Sequence, residues 1–111
     1  MIAYVAGPYR EGHGRTIDAN IKAATLVAID LWKLGCAVIC PHLNTAHFDG
    51  FVPDEQFLAG DLEILSKCDA IVMAPFWRES DGACAELRYA RKLGLPAYEW
   101  YAIGHIRELT P

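Results

Sequence analysis

Residues 68–99 read CDAIVMAPFWRESDGACAELRYARKLGLPAYE, and they set the pattern of strand, loop and helix on which the chain is built. An apolar run ends at Pro75, and a polar loop that carries Ser80 follows. A helical pattern then begins, in which one acidic residue, Glu86, stands among small neighbours. This order predicts a buried strand, a loop at a binding site, and a helix.

The same alternation extends over the whole chain. The predicted strands cover residues 2–6, 37–40, 70–74 and 97–101. The first predicted helix follows Thr16 as its cap and ends before Gly35, and the other two cover 54–67 and 82–93. Residues 41–53 show no clear period and are predicted to form a loop, whereas the last segment, 104–111, is too short for another unit and is expected to pack on a neighbour. Short connections between alternating elements imply an α/β fold, a flavodoxin-like or Rossmann-like three-layer sandwich with a small parallel sheet.

Length and composition limit the class of protein. A chain of 111 residues is expected to form one domain, residues 1–111. Its hydrophobic fraction of 53% exceeds that of an average soluble domain, about 45–50%, which predicts a subunit interface in a homodimer or larger homo-oligomer. Ten basic and fourteen acidic residues, with no basic run, argue against nucleic acid as a partner.

The lack of recognisable targeting signals and the pattern of the cysteines predict a cytoplasmic protein. Residues 1–6 lack a basic region before their apolar run, so no signal peptide is expected, and no stretch approaches the ~20 apolar residues of a membrane span. The four cysteines form no CxxC pair and fall in apolar or helical runs, which predicts reduced thiols rather than disulfides.

The loop after the first strand is a candidate ligand site. In open parallel sheets ligands bind beyond the carboxyl ends of the strands, so the loops after strands one and three should face one crevice and bring Arg10 near Glu86. The first loop, residues 7–15, has neither the GxGxxG pattern nor the GK[ST] ending of a P-loop. Arg10 and Arg15 precede a helix N-terminus, where cations and backbone amides suit a phosphate. The alternative is a mobile turn without a ligand.

Two acidic residues are candidates for chemistry. Glu86 has small helical-face neighbours that leave room for a ligand, although a Glu early in a helix is commonly a simple helix former. Asp61 lies one position from the apolar side of the second helix, so a surface aspartate is its simplest interpretation. His42, His47 and Asp49 match no strong ligand spacing, and no metal is expected.

Three blocks of sequence resemble the nucleoside 2-deoxyribosyltransferase superfamily, near its deoxynucleoside 5′-monophosphate N-glycosidase branch. They are YVAGPYR at 4–10, GDLEILSKCDAIVMAP at 60–75 and SDGACAELRYARKLGLPAY at 80–98. The resemblance implies a flavodoxin-like fold and cleavage of the N-glycosidic bond of a nucleoside or nucleotide. It implies no metal and no organic cofactor.

The resemblance also implies roles for individual residues. Glu86 matches the glutamate that attacks C1′ of the sugar, Tyr4 the tyrosine that orients this carboxylate, and Asp61 the aspartate that supports the reacting sugar and base. Substrate binding falls to positions in the two loops: Arg10 and Ser80 match residues that bind the 5′-phosphate, and Gly7 and Gly82 belong to the same set. Pro8 departs from the glycosidase branch, which carries a hydroxyl residue there.

The residues leave several functions open. Water as the acceptor of the sugar makes the enzyme a hydrolase, whereas a second base makes it a transferase. A nucleotide-binding module without catalysis, or a purely structural subunit, could use the same fold. The hydrolase acting on a deoxynucleoside 5′-monophosphate is the first expectation, because Arg10 and Ser80 offer contacts to phosphate.

Overall fold

The computed structural model describes residues 1–110, and its strands and helices alternate along most of the chain. The strands are β1 (Ile2–Ala6), β2 (Ala37–Ile39), β3 (Ala70–Met73), β4 (Ala97–Ala102) and β5 (His105–Glu108). The helices are α1 (Ile17–Lys33), α2 (Pro41–Asn44), α3 (Asp54–Leu65) and α4 (Asp81–Lys92), and a 3₁₀ turn, Trp77–Glu79, precedes α4. None of these helices has the length and apolar character needed to span a bilayer.

The five strands form one sheet in the order β2-β1-β3-β4-β5. β1 pairs in parallel with β2 and β3, β3 pairs in parallel with β4, and β5 is antiparallel to β4. This is the flavodoxin-like order, in which the chain changes direction between β1 and β3. The predicted α/β sandwich with a mostly parallel sheet is therefore confirmed.

The alternation of side chains along β1 and β3 divides the core into two halves. Tyr4 and Ala6 face one side of the sheet, where Leu65 of α3 and Leu87 of α4 cover them. Ala3, Val5 and Val72 face the other side, where Ala24, Val27 and Leu31 of α1 pack. Because successive strand residues point to opposite faces, Tyr4 is directed toward α4, which carries Glu86.

Both helices that border the loops of interest have ordinary caps. The Thr16 hydroxyl accepts a hydrogen bond from the Ala19 amide at 3.1 Å, and α1 ends before Gly35, whose φ of 93° suits glycine. The Ser80 hydroxyl accepts a hydrogen bond from the Ala83 amide at 3.1 Å and begins α4. The helix starts predicted from sequence therefore lie within two residues of those observed.

The C-terminal segment differs from its prediction. Residues 105–108 form β5, which pairs with β4 across a turn at Gly104, where φ is 75°. A hairpin strand needs only a short turn and an open sheet edge, so the segment is long enough for one more element.

The buried Asp30 carboxylate holds this hairpin, because it accepts hydrogen bonds from Trp100 Nε1 at 2.5 Å and from the Gly104 amide at 2.8 Å. Pro111, the last residue of the predicted segment, lies outside the described residues.

The prediction of a loop over residues 41–53 was wrong at its start. Pro41 stands at the first position of a one-turn helix, where its fixed φ is already helical and its missing N–H costs no hydrogen bond. This turn buries His42 beneath the first loop.

Candidate active site

A cavity of about 620 Å³ opens at the carboxyl ends of β1 and β3, the switch point of the sheet. Its walls come from the loop after β1, from α3, and from the start of α4. The lining includes six of the seven residues predicted from sequence for the site: Gly7, Arg10, Asp61, Ser80, Gly82 and Glu86. The seventh, Tyr4, lies behind Glu86 and is fully buried.

Glu86 and Tyr4 form a buried pair at the inner end of this cavity. The Tyr4 hydroxyl donates a hydrogen bond to Oε2 of Glu86, which is 8% exposed. Burial raises the pKa of Glu86 to about 7; the bond from Tyr4 opposes this rise, and the charge of Asp61 adds to it. Burial, followed by the nearby Glu86 charge, also raises the pKa of the Tyr4 phenol, which therefore stays protonated and donates.

Asp61 supplies a second carboxyl group from α3. It is half-buried on the cavity wall, and burial raises its pKa to about 6. Its charge acts on both Glu86 and Tyr4, so the three groups are electrostatically linked. Two neighbouring carboxyl groups with raised pKa values can hold and release a proton near neutral pH, which is what general acid and base catalysis requires.

The N-terminus of α4 lines the same cavity. Ser80 caps the helix through its hydroxyl, Asp81 is the first helical residue, and Gly82 follows. The first amides of a helix have no intrahelical partner and carry partial positive charge, which favours an anion.

Each arginine of the first loop pairs with a carboxylate at the mouth of the cavity. Arg10 binds Asp54, the first residue of α3, and Arg15 binds Glu79 just before Ser80. The Arg15 guanidinium also lies over the Phe76 ring, with 4.0 Å between its central carbon and the ring centroid. Both cations predicted for phosphate contact therefore line the cavity, but each already has a partner.

Gly7 lies where β1 ends and approaches β3 closely. A Cβ built on Gly7 would stand 2.8 Å from the Cβ of Ala74, a distance that requires one of the two strands to move. The glycine thus lets the chain leave the sheet beside β3 and turn into the cavity wall.

Two residues around the site were missed by sequence reasoning. Asn20 of α1 donates hydrogen bonds from Nδ2 to the carbonyl oxygens of Tyr9 at 3.1 Å and Arg10 at 2.9 Å. His42 donates from Nε2 to the carbonyl of Pro8 at 2.8 Å. The position of Asn20, a polar residue on the apolar stripe of α1, is a sequence signal for such a role, whereas the sequence around His42 suggests only a metal ligand. Within residues 1–110 no group of three or more His, Cys, Asp or Glu residues is arranged to hold a metal ion.

Comparison with known proteins places the chain in a family. Among solved structures it is similar to a 2-deoxyribosyltransferase from the psychrotolerant bacterium Bacillus psychrosaccharolyticus, with 21% sequence identity and a TM-score of 0.68 over 89% of this chain and 71% of that one. At this identity the likeness shows a common fold. A search of curated proteins finds no match. The family model described as "Domain of unknown function (DUF4406)" matches residues 1–98, and the chain therefore belongs to the DUF4406 family.

Proposed function

We propose that this protein cleaves the N-glycosidic bond of a deoxynucleoside 5′-monophosphate and releases the free base. The observation that carries the proposal is the grouping of Tyr4, Glu86 and Asp61 at one end of a cavity large enough for a nucleotide. The similar fold of a 2-deoxyribosyltransferase supports the same bond as the target.

In the first step, the Glu86 carboxylate attacks C1′ of the sugar. The C1′–N bond breaks, its electron pair passes to the base, and a proton from Asp61 neutralises the leaving nitrogen. Tyr4 engages Oε2 of Glu86, and within the described residues Oε1 has no hydrogen-bond partner, so Oε1 is the oxygen offered to the sugar. The product is a glycosyl ester on Glu86.

In the second step, water attacks C1′ of the ester. Asp61, now ionised, takes the proton of the water, and the electron pair of the ester bond returns to Glu86. The free sugar phosphate leaves, and both carboxyl groups regain their starting protonation. The mechanism uses the form in which Glu86 is ionised and Asp61 is protonated. With pKa values of about 7 for Glu86 and about 6 for Asp61, this is the less populated singly protonated form of the pair, and it is reached when the proton moves from Glu86 to Asp61.

The 5′-phosphate is proposed to lie at the mouth of the cavity, between the first loop and the α4 N-terminus. Ser80, Gly82 and Arg10 border this space. The pair between Arg10 and Asp54 is exposed on both sides, and such pairs contribute only about 0–1 kcal/mol. A phosphate that binds Arg10 can therefore displace Asp54 at small cost.

A second candidate is base exchange on nucleosides that lack a phosphate. The pairing of Arg10 with Asp54 and of Arg15 with Glu79 favours it, because these cations already have anionic partners. The similar structure is itself described as a 2-deoxyribosyltransferase.

One experiment separates these functions. Purified protein is incubated with each deoxynucleoside and each deoxynucleoside 5′-monophosphate, with and without a second base, and free base is followed by chromatography. Release from monophosphates without an added base supports the hydrolase, and a new nucleoside formed only with the second base supports the transferase. Thermal stabilisation by nucleotides without any release would contradict both and favour a non-catalytic binding module.

The protein is further proposed to act in the cytoplasm as a homodimer or larger homo-oligomer. Large apolar side chains remain exposed beside the β2 edge, among them Trp32 and Ile39, and they border an apolar groove lined by Val38 and Ile64. The four cysteines are free thiols, which suits a reducing compartment. A fully active monomer in sedimentation velocity would contradict the oligomer.

A further inference from the structure

Three successive carbonyl groups of the first loop are held by buried side chains. His42 binds the carbonyl of Pro8, and Asn20 binds those of Tyr9 and Arg10. Asn20 is 4% exposed and His42 is 6% exposed, so both side chains are fixed in the protein interior.

The orientation of the carbonyls fixes that of the neighbouring amides. All peptide bonds in the described chain are trans, and in a trans peptide the N–H points opposite to the preceding C=O. The amides of Arg10 and Glu11 therefore point away from Asn20 and α1. Among residues 1–110 no oxygen accepts a hydrogen bond from the amides of Tyr9, Arg10 or Glu11. The run of free donors stops at Gly12, whose amide binds the Arg15 carbonyl at 3.0 Å.

The same cavity has a second set of amides on its other wall. Residues 9–11 and the first residues of α4, Asp81 and Gly82, all line it. The Ala83 amide is used by the Ser80 cap, whereas the two amides before it have no acceptor within the described residues. Successive free backbone amides form a concave site for an anion. Both sets of free amides thus belong to residues that line one cavity.

We propose that Asn20 and His42 are positioning residues, which hold the first loop so that the amides of residues 9–11 face the 5′-phosphate of the substrate. This inference rests on the proposed function for the identity of the ligand. Asn20 does not line the cavity, and His42, which is part of its wall, has Nε2 engaged by the Pro8 carbonyl. Both residues are therefore assigned to affinity for the phosphate and not to the bond that breaks. The two residues thereby favour binding of monophosphates over nucleosides, because a nucleoside has no phosphate to accept hydrogen bonds from these amides.

The test measures binding without turnover, in a Glu86→Gln background. Dissociation constants for a deoxynucleoside 5′-monophosphate, its deoxynucleoside and inorganic phosphate are obtained by calorimetry for Asn20→Ala and His42→Leu. His42→Gln keeps a donor near the place of Nε2 and serves as the rescue variant. Thr25→Val is the matched control, because the Thr25 hydroxyl binds Ile21 within α1 and does not reach the loop.

The expected result is a loss of about tenfold or more in affinity for the monophosphate and for phosphate in Asn20→Ala and His42→Leu. Deoxynucleoside affinity is unchanged in both, His42→Gln recovers the lost affinity, and Thr25→Val behaves as the parent. Equal losses for nucleoside and monophosphate, or no loss, would overturn the inference. If Asn20→Ala does not fold, the two His42 variants carry the same test.

The outcome is distinguishable from that of the proposed function. If the wild-type chain releases no base but phosphate binding depends on Asn20 and His42, the catalytic proposal fails and the positioning role stands. If base is released from monophosphates and the variants bind phosphate as the parent does, the positioning role alone fails. Backbone amide NMR adds a direct readout, since phosphate should shift the amides of Tyr9, Arg10 and Glu11 in the parent and less in Asn20→Ala.

Discussion

The Tyr4 hydroxyl donates a hydrogen bond to the Glu86 carboxylate across 82 residues of sequence, and both side chains are buried. The bond joins the third residue of β1 to the middle of α4, the elements on either side of the sheet's switch point. The bond holds Oε2 of Glu86 and leaves Oε1 without a hydrogen-bond partner among the described residues. The proposed mechanism depends on this difference, because Oε1 is the oxygen that attacks the sugar.

Tyr4→Phe is expected to shift the pH dependence of base release. The hydrogen bond from Tyr4 lowers the pKa of Glu86, so its loss raises that pKa above about 7 and leaves less carboxylate at neutral pH. Because its pKa lies above that of Asp61, Glu86 sets the basic limb of the kcat/KM profile. This limb should move to higher pH, and the rate at pH 7 should fall on the order of tenfold or more. Tyr98→Phe, on β4 of the same sheet, is the control; an unmoved basic limb in Tyr4→Phe would contradict the role.

Glu86→Gln is expected to stabilise the fold at alkaline pH. The pKa values of Glu86 and Asp61 are both raised by burial, so the folded state binds protons more tightly than the unfolded chain. Their contribution is fully present below the unfolded pKa values and is lost as pH rises through about 6 to 7. Glutamine mimics the protonated acid, so the gain over wild type should grow from pH 5 to pH 8 and reach on the order of 3 kcal/mol.

Denaturant unfolding at several pH values measures this gain. Glu63→Gln, an exposed position on α3, removes the same charge without a buried environment and should show no comparable trend. A stability difference between Glu86→Gln and wild type that does not change with pH would mean that Glu86 titrates as an ordinary carboxyl group.

Asp30→Ala is expected to loosen the C-terminal hairpin. Two donors, the half-buried Trp100 Nε1 and the exposed Gly104 amide, lose the acceptor that ties the hairpin to α1. The midpoint of thermal unfolding should fall on the order of 5 °C, with increased amide exchange in β5. Glu108→Ala, at the exposed end of the same hairpin, is the control. Unchanged exchange in β5 would show that Asp30 does not hold the strand.

Gly7→Ala is expected to lower both stability and base release. The new Cβ would meet Ala74 Cβ at 2.8 Å, so β1 or β3 must shift at the base of the first loop. Ala74→Gly removes the opposing carbon, and the double variant should recover part of both losses, while Ala74→Gly alone shows the cost of the second change. If Gly7→Ala lowers stability and base release equally in the wild type and in the Ala74→Gly background, the cause is not a steric clash with Ala74.

Much of the fold could be predicted because local patterns and tertiary packing agree. The apolar runs of β1 and β3 and the caps of α1 and α4 each satisfy local rules, and the parallel order follows from their alternation. β5 was missed because its pairing depends on the edge of β4, which is not visible in a short polar segment.

The candidate site was only partly visible in the sequence. The resemblance pointed to Tyr4, Asp61 and Glu86, and the alternation of β1 explains why Tyr4 reaches α4. The contacts of Asn20 and His42 with loop carbonyls could not be predicted, because they depend on where the loop crosses α1 and α2. The ion pairs of the loop arginines also depend on side chains that are distant in sequence, at Asp54 and Glu79.

Mass spectrometry of protein quenched in acid during turnover of a deoxynucleoside 5′-monophosphate tests directly whether Glu86 is the nucleophile. We expect a deoxyribosyl phosphate ester on the peptide that contains Glu86, formed as base is released, and neither ester nor release in Glu86→Gln. Base release by Glu86→Gln at the rate of the wild type, or an adduct on another residue, would contradict the claim.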